Sequence, residues 1–156
     1  MVSKADFLER MRTARAGLND AISGLTEDQM SQDIVAGEWS VKDIMAHLAA
    51  WQGEVVITLE RVGPNDTQAL IDESVDEWNR RRVDERRRLP LVDVIQEFQD
   101  THDRLLTLFA GSSEERIPLG PAGWDETSKL WWLTEHDGEH TEAVRAYRRR
   151  LAARDA

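Results

Sequence analysis

The stretch that decides the fold is residues 39–62, WSVKDIMAHLAAWQGEVVITLERV. Its apolar side chains recur at steps of three and four residues, which is the period of an amphipathic helix. The residues of this apolar face are Ile44, Leu48, Trp51, Val55, Leu59 and Val62. Ser40 followed by Asp43 is typical of a helix N-terminus, and Gly63-Pro64 is expected to end the helix. The stretch therefore predicts one long helix with a single buried face.

The rest of the chain divides into further helices at its prolines and glycines, and no stretch shows the alternation of a strand. A capping box formed by Ser3 and Asp6 predicts a first helix that ends near Gly24. Two more amphipathic stretches follow, one from Pro90 to Gly111 and one over residues 126–152. Together with the opening stretch, they make four long helices.

A long connection separates the second and third of these long helices. Residues 72–88 within it are polar and strongly charged, and they predict a shorter helix. A bundle with one long crossover accommodates this order of elements. We therefore expect an all-α four-helix bundle in a single domain, residues 1–156, with the crossover between helices 2 and 3.

Composition excludes several classes of protein. The chain has 156 residues, a net charge of −10 and no cysteine. The negative charge argues against nucleic-acid binding, which relies on cationic contacts to phosphates. Without cysteine there is no disulfide, no thiolate nucleophile and no Cys-ligated zinc. No apolar run reaches the roughly 20 residues of a membrane span, and the N-terminus lacks the apolar region of a signal peptide. We expect a soluble, cytoplasmic protein.

His47, His136 and His140 fall within the apolar stripes of the second and fourth predicted helices. His136 and His140 are four residues apart, so they share one helix face and are able to hold one metal ion together. His47 lies between Ile44 and Trp51. Polar side chains that face a bundle core are costly unless they are paired or bind a metal. If the second and fourth helices are antiparallel, the three histidines reach similar depths. A zinc-protease site is excluded, because the His-Glu-x-x-His signature is absent.

Two of these stretches resemble the DinB-like (DinB/YfiT) four-helix proteins. Residues 37–48, GEWSVKDIMAHL, are similar to the second-helix motif of that family, and residues 135–140, EHDGEH, are similar to its last-helix motif. Trp78-Asn79 and the Arg-Arg-x-Leu-Pro-Leu stretch that ends at Leu91 resemble the ClbS/DfsB-like branch. The sequence departs from the family at Asp137-Gly138, where aromatic or alanine residues are common.

The resemblance implies an up-down-down-up bundle that forms a homodimer. It implies a divalent metal held by His47, His136 and His140, with zinc or nickel as the first expectation and iron or manganese as alternatives. Three imidazoles leave positions open for water or substrate, which is typical of a catalytic site. The ClbS/DfsB-like branch further implies a hydrolase of a reactive small-molecule electrophile, acting in self-protection. A thiol-dependent transferase or isomerase is one alternative, and a non-enzymatic protein that sequesters a small molecule is another.

Glu54 and His102 are the predicted catalytic residues. Glu54 lies two turns beyond His47 on nearly the same helix face, where a carboxylate is placed to act as a general base. A surface ion pair is the alternative for this residue. His102 lies in the apolar stripe of the third helix, at a depth that would let it pair with Glu54.

Five tryptophans near the predicted site are candidates for the wall of a ligand pocket. They are Trp39, Trp51, Trp124, Trp131 and Trp132. Core packing is the favoured interpretation for Trp39 and Trp51, and the adjacent Trp131 and Trp132 are unable to face the same core. Residues 80–88 carry six arginines interleaved with acidic residues. This pattern favours a solvated helix with internal ion pairs over an anion site.

Overall fold

The computed structural model describes residues 2–62, 70–118, 120 and 123–156. Within these ranges the chain is all-helical, as the sequence predicts, and its one strand-like pairing is an isolated bridge between Ala36 and Trp39. The helices of these ranges are α1 (Lys4–Ile22), α2 (Glu27–Ser31), α3 (Val41–Val62), α4 (Val75–Arg87), α5 (Leu91–Ala110) and α6 (Leu133–Arg154). None of these described helices is long and apolar enough to cross a membrane.

Helices α1 and α3 begin where side chains replace missing backbone hydrogen bonds. At α1, the Ser3 hydroxyl accepts from the Asp6 backbone N–H, and the Asp6 carboxylate accepts from the Ser3 backbone N–H. Ser40 and Asp43 make the same exchange at α3, with N···O distances of 3.1 Å. Both predicted capping boxes are therefore confirmed. The predicted stop at Gly63-Pro64 lies outside the described residues.

Proline and glycine mark the end of α1 and both ends of α5. Gly24 lies two residues beyond α1 with a φ of 79°, a left-handed conformation that glycine adopts without steric cost. Helix α5 begins directly after Pro90 and ends directly before Gly111. These bounds follow the predicted ones because both residues act locally on the backbone. Pro121, another predicted break, lies outside the described residues.

The helices pack mainly in two pairs, α3 against α5 and α1 against α6. One hydrophobic cluster joins the first half of α3 to the start of α5 and the end of α6, through Ile44, Val94 and Val144. A second cluster joins the far half of α3 to the end of α5, through Val55 and Phe109. The space between these two clusters holds polar side chains, which are described below.

The long crossover contains the helix predicted for it. Helix α4 lies within the expected residues 72–88, and the Ser74 side chain caps it by accepting from the Glu77 backbone N–H. Helix α4 packs along α3. Its Trp78 ring lies 4.1 Å, centroid to centroid, from the Trp51 ring of α3. The crossover therefore brings its own side chains to the aromatic side of α3.

The structure corrects the sequence prediction at α2 and α6. The short helix α2 was not predicted, and α6 begins at Leu133 rather than at residue 126. Residues 123–132 form bends and turns instead. The Asp125 carboxylate accepts from the Thr127 backbone N–H at 3.0 Å and so offers the chain an alternative to helical hydrogen bonding.

Candidate metal centre

Three histidines from two helices meet in the bundle. Helix α3 carries His47, and α6 carries His136 and His140 one turn apart. One ring nitrogen of each lies within 4.8 Å of those of the other two. The Nε2 atoms of His47 and His136 are 2.9 Å apart. The ring centroids are separated by 4.8, 5.0 and 5.1 Å. The structure thus brings together the residues that the sequence selected as metal ligands.

Burial keeps these three imidazoles neutral. His47 is only 4% exposed, and the other two are half-buried. Loss of water disfavours the charged form, so burial lowers the pKa of His47 to about 2, with the neighbouring histidines adding repulsion. Burial and the neighbouring His140 lower the pKa of His136 to about 3, and burial also lowers that of His140. Neutral imidazole is the form that binds a metal ion.

One nitrogen in each of two of these rings lacks a hydrogen-bond partner within the described part of the chain. Nδ1 of His47 and Nδ1 of His136 are buried with no hydrogen-bond partner among the described residues. The histidines face one another instead, and a 2.9 Å separation between two Nε2 atoms also suits two lone pairs that converge on a cation. Burying polar rings costs free energy, and an ion bound through the converging Nε2 lone pairs would offset part of that cost. The donor set therefore fits a divalent metal that accepts imidazole nitrogen.

Tryptophan rings enclose the histidines on two sides. The Trp39 ring lies 4.6 Å from the His47 ring and 6.2 Å from the His140 ring. The Trp132 ring lies 5.2 Å from the His136 ring. Large apolar rings in these positions limit the access of water to the cluster. Trp39 therefore borders the site as well as packing against the core. Sequence analysis favoured the core position alone.

A cavity of about 320 Å³ opens beside His47 and His136. Its other walls are Trp51, Leu70, Val75, Asn79 and Trp132. Mainly apolar walls with a few polar groups are typical of small-molecule sites. A cavity of about 430 Å³ between Leu59 and Ile117 has no histidine among its described walls. The smaller cavity is the better candidate, because it alone of these two reaches the three-histidine cluster.

Trp124 and Trp131 lie away from this site, which corrects the sequence prediction. Their ring centroids are 5.3 and 6.0 Å from that of Phe7, in the second hydrophobic cluster. The guanidinium of Arg10 lies over the Trp131 ring. Trp131 and Trp132 both pack against the second hydrophobic cluster, contrary to the expectation that they do not share a core, and Trp132 also packs against Trp51 and Trp78.

Glu54 pairs with an arginine of the crossover. Its carboxylate accepts from Arg82 Nη2 at 3.4 Å, and its side chain is 19% exposed. Glu54 is not among the described walls of the 320 Å³ cavity. The ion pair was the alternative interpretation from the sequence, and the role of Glu54 as a general base stays a prediction.

His102 belongs to a separate buried network. Its Nδ1 lies 3.2 Å from Gln52 Oε1. Burial lowers its pKa to about 3, and the positive charge of Arg15 acts in the same direction. The expected pair of Glu54 and His102 is wrong, because residues 52 and 54 lie about 200° apart on the helix. Gln52 faces His102, whereas Glu54 faces Arg82. A catalytic role for His102 also stays a prediction.

The centre of this network is an ion pair that sequence analysis missed. Arg15 Nε donates to Asp137 Oδ2 at 2.7 Å, and the two residues are 5% and 1% exposed. Arg15 also donates to the Phe98 carbonyl at 2.7 Å and to Gln52 Oε1 at 3.1 Å. Burial raises the pKa of the Asp137 carboxyl, and Arg15 opposes that shift. The network joins α1, α3, α5 and α6.

The sequence contains one indication that Arg15 of this network is buried. Arg15 lies in the apolar stripe of α1, four residues after Met11 and three before Leu18, and all three are buried. A charged side chain at such a position requires a partner. The sequence alone does not name that partner, since Asp137 is 122 residues away.

The arginines of α4 make ion pairs, as the charge pattern predicts. The pairs inside the helix include Arg81–Glu85, Arg82–Glu85, Arg86–Glu85 and Arg87–Asp84. Arg86 reaches Glu97 of α5 at 2.5 Å, and Arg87 reaches Asp43 of α3 at 3.1 Å. The charged crossover helix is therefore tied to the bundle by ion pairs as well as by Trp78.

Comparison with known proteins assigns the family. A model of the DinB superfamily matches residues 10–144, a span that contains all three histidines. The chain belongs to the DinB superfamily. Searches of the curated proteins and of the solved structures gave no match. Members of the superfamily typically bind a metal, and the three-histidine cluster is a site at which this chain is able to hold one.

Proposed function

We propose that the chain is a metal-dependent hydrolase of a reactive small-molecule electrophile, as in the ClbS/DfsB-like branch. One observation carries the proposal: three neutral imidazoles converge, and two of them, His47 and His136, line an aromatic cavity. Three protein ligands leave coordination positions open, whereas a structural zinc site is closed by four. This arrangement favours chemistry over a purely structural role.

His47, His136 and His140 would hold the ion, with zinc or nickel first and iron or manganese as alternatives. When bound, such an ion supplies Lewis acidity and lowers the pKa of a water molecule bound to it towards neutral pH. The chain's own part is to keep these rings neutral and to hold them in place. Trp39 and Trp132 shield the cluster from bulk water, which strengthens the electrostatic interactions in the site.

The proposal includes an up-down-down-up bundle in a single domain, residues 1–156. Contacts between α1 and α5 support this order. Lys4 Nζ donates to the Ala110 carbonyl, and Arg15 donates to the Phe98 carbonyl. Early residues of one helix thus meet late residues of the other, as expected for opposite directions. A cytoplasmic homodimer remains the predicted form of the protein, and light scattering on purified protein checks the dimer.

The first experiment is metal analysis of untagged protein purified without chelators. We expect about one metal per chain in the wild type, because the cluster is a single three-ligand site. His47→Ala and His140→Ala should both lose the metal. His102→Gln is the matched control, since it changes a buried histidine outside the cluster and should keep the metal. Full occupancy in His140→Ala would overturn the assignment.

A second experiment separates the candidate activities. Metal-loaded protein is incubated with styrene oxide, a reactive electrophile, with and without an added low-molecular-weight thiol. Metal-dependent formation of the diol supports hydrolysis. A product that requires the thiol indicates a transferase instead, and saturable binding without any product indicates a sequestering protein.

The general-base role predicted for Glu54 has its own test. Glu54→Gln removes the proton acceptor and should lower the rate of hydrolysis by about 100-fold or more. Glu60→Gln is the matched control, because Glu60 lies on the same helix in an exposed pair with Arg104. Equal rates in the two variants would remove Glu54 from the mechanism and leave the metal assignment intact.

A further inference from the structure

Asn79 stands out among the walls of the 320 Å³ cavity. Among the described wall residues, Asn79 is the one polar side chain that is neither a histidine nor a tryptophan. Trp51 Nε1 donates to Asn79 Oδ1 at 2.8 Å, so a wall residue of α3 holds a wall residue of α4. The hydrogen bond fixes the direction in which the Asn79 amide points.

The chemistry of the indole decides that direction. An indole N–H only donates, so the atom that faces it must be the amide oxygen and not the amide nitrogen. Asn79 Nδ2 therefore points away from Trp51 with two N–H groups. Among the described residues no acceptor takes these groups, and Nδ2 is not one of the buried unpartnered atoms. It remains open to a ligand as a donor.

The remaining walls select for shape and charge. The Trp51 ring is held by Trp78 at 4.1 Å and meets the Trp132 ring at 5.6 Å with an interplanar angle of 77°. Two rigid aromatic surfaces in this arrangement favour a flat apolar group. The described walls other than the two histidines are uncharged by residue type. Against these walls a charged ligand would lose its hydration without gaining an ionic partner from them.

We infer that this cavity takes a flat, uncharged molecule that carries a carbonyl or a similar hydrogen-bond acceptor, and that Asn79 Nδ2 donates to that acceptor. Asn79 is then the specificity-determining residue of the site. The inference rests on the proposed function in one respect: it takes this cavity to be the substrate site. It adds the class of molecule that the proposed hydrolase would accept.

Asn79 also borders a second cavity, of about 300 Å³, so the choice between the two needs a reason. The described walls of that cavity are mostly charged and include Asp76, Arg80 and Arg87. A flat uncharged molecule would remove water from these charges without replacing their hydrogen bonds. The aromatic cavity is therefore the better host for such a molecule.

The test compares two probes that differ in one group. Indane is a flat bicyclic hydrocarbon, and 1-indanone is the same frame with a carbonyl. Their affinities for the full-length protein are measured by ligand-detected NMR, with and without added zinc. We expect wild-type protein to bind 1-indanone about tenfold more tightly than indane, since one net hydrogen bond is worth roughly that ratio.

Asn79→Asp is the diagnostic variant. Its carboxylate still accepts from the Trp51 N–H, so the wall keeps its support, but it has no N–H to offer a ligand. The preference for 1-indanone should vanish, while the affinity for indane stays within about twofold because the apolar walls are unchanged. Asn19→Asp makes the same chemical change on the exposed surface of α1 and should keep the preference.

Several outcomes would overturn the inference. They are equal affinities for the two probes in the wild type, a preference that survives Asn79→Asp, and no measurable binding of 1-indanone at its solubility limit. Metal content is measured on the same preparations. A metal-free protein that keeps the Asn79-dependent preference contradicts the proposed function alone. A metal-loaded protein without the preference contradicts this inference alone.

Discussion

The three-histidine cluster and the Arg15–Asp137 network are neighbouring polar regions inside one bundle. They are adjacent on α6, where Asp137 directly follows His136. In the network, Arg15 is bonded to a carboxylate, a carbonyl and the Gln52 amide, all at 3.1 Å or less. In the cluster, two ring nitrogens have no partner among the described residues. The network side chains are all buried, whereas His136 and His140 of the cluster are half-buried, and the two regions differ most in hydrogen bonding.

This difference separates the structural role from the functional one. A buried charge that is fully paired joins the helices and gains nothing from a ligand. In the cluster, the converging Nε2 lone pairs are able to bind an ion, whereas the unpartnered Nδ1 atoms lower the stability of the empty site. The network should therefore respond to mutation through the free energy of unfolding. The cluster should respond through metal binding.

The largest expected effect follows from breaking the network. Arg15→Leu leaves the buried Asp137 carboxylate without its partner and should lower the free energy of unfolding by about 3–5 kcal/mol. Urea denaturation measures this loss. Arg12→Leu is the matched control, because Arg12 makes only a 3.9 Å pair with Glu9 at the surface, where both side chains are more than half exposed. Its cost should stay within about 0.5 kcal/mol.

Removing both charges sharpens that result. The double variant Arg15→Leu/Asp137→Leu should recover part of the stability lost in Arg15→Leu, since no uncompensated charge stays buried. An Arg15→Leu protein as stable as Arg12→Leu would show that the pair contributes nothing to the fold.

The next effect concerns the cluster. Zinc at about 100 times its Kd should raise the free energy of unfolding of the wild type by about 2.7 kcal/mol. His140→Ala should abolish this gain, because the cluster loses one of its three ligands. Thermal unfolding with and without zinc measures the gain. His102→Gln should keep it, and the same gain in His140→Ala would contradict the assignment of that ligand.

The pH dependence of stability tests the network again. The pKa of His102 falls from 6.5 to about 3 in the folded protein, because it is buried beside Arg15. Between these values the unfolded chain binds the proton and the folded chain does not, so stability is lost as the pH falls from 6.5 towards 3. His102→Gln should flatten this dependence by up to about 1.4 kcal/mol per pH unit. Urea unfolding over that range measures the slope, and identical slopes in the two proteins would exclude His102 as a source.

The smallest expected effect is on the stability of the metal-free cluster. His136→Leu removes the unpartnered Nδ1 of His136 but also the Nε2 contact with His47. These two effects oppose each other, so the stability of the metal-free protein should change by less than about 1 kcal/mol. Gln52→Leu in the network should cost more, about 1–3 kcal/mol, because Asp137 and His102 lose a partner. Chemical denaturation in the presence of a chelator compares them. Equal losses would mean that the two regions do not differ as described.

Much of the fold follows from local rules. Capping pairs and the three- and four-residue period mark α1, α3 and α5, since hydrogen bonds at a helix end join residues only a few positions apart. The start of α6 was missed because the Asp125 side chain bonds the backbone of the following turn. The four-residue spacing of His136 and His140 was equally readable, since one helical turn separates them.

The partners of the remaining polar residues could not be predicted from the sequence. The sequence determined which helix faces are apolar, and it placed the histidines on them. Only the tertiary structure decided that His47 meets His136 while His102 meets Gln52. The rotation of each helix about its axis is set by how its side chains fit between those of all its neighbours. A pattern within one helix carries no information about that fit.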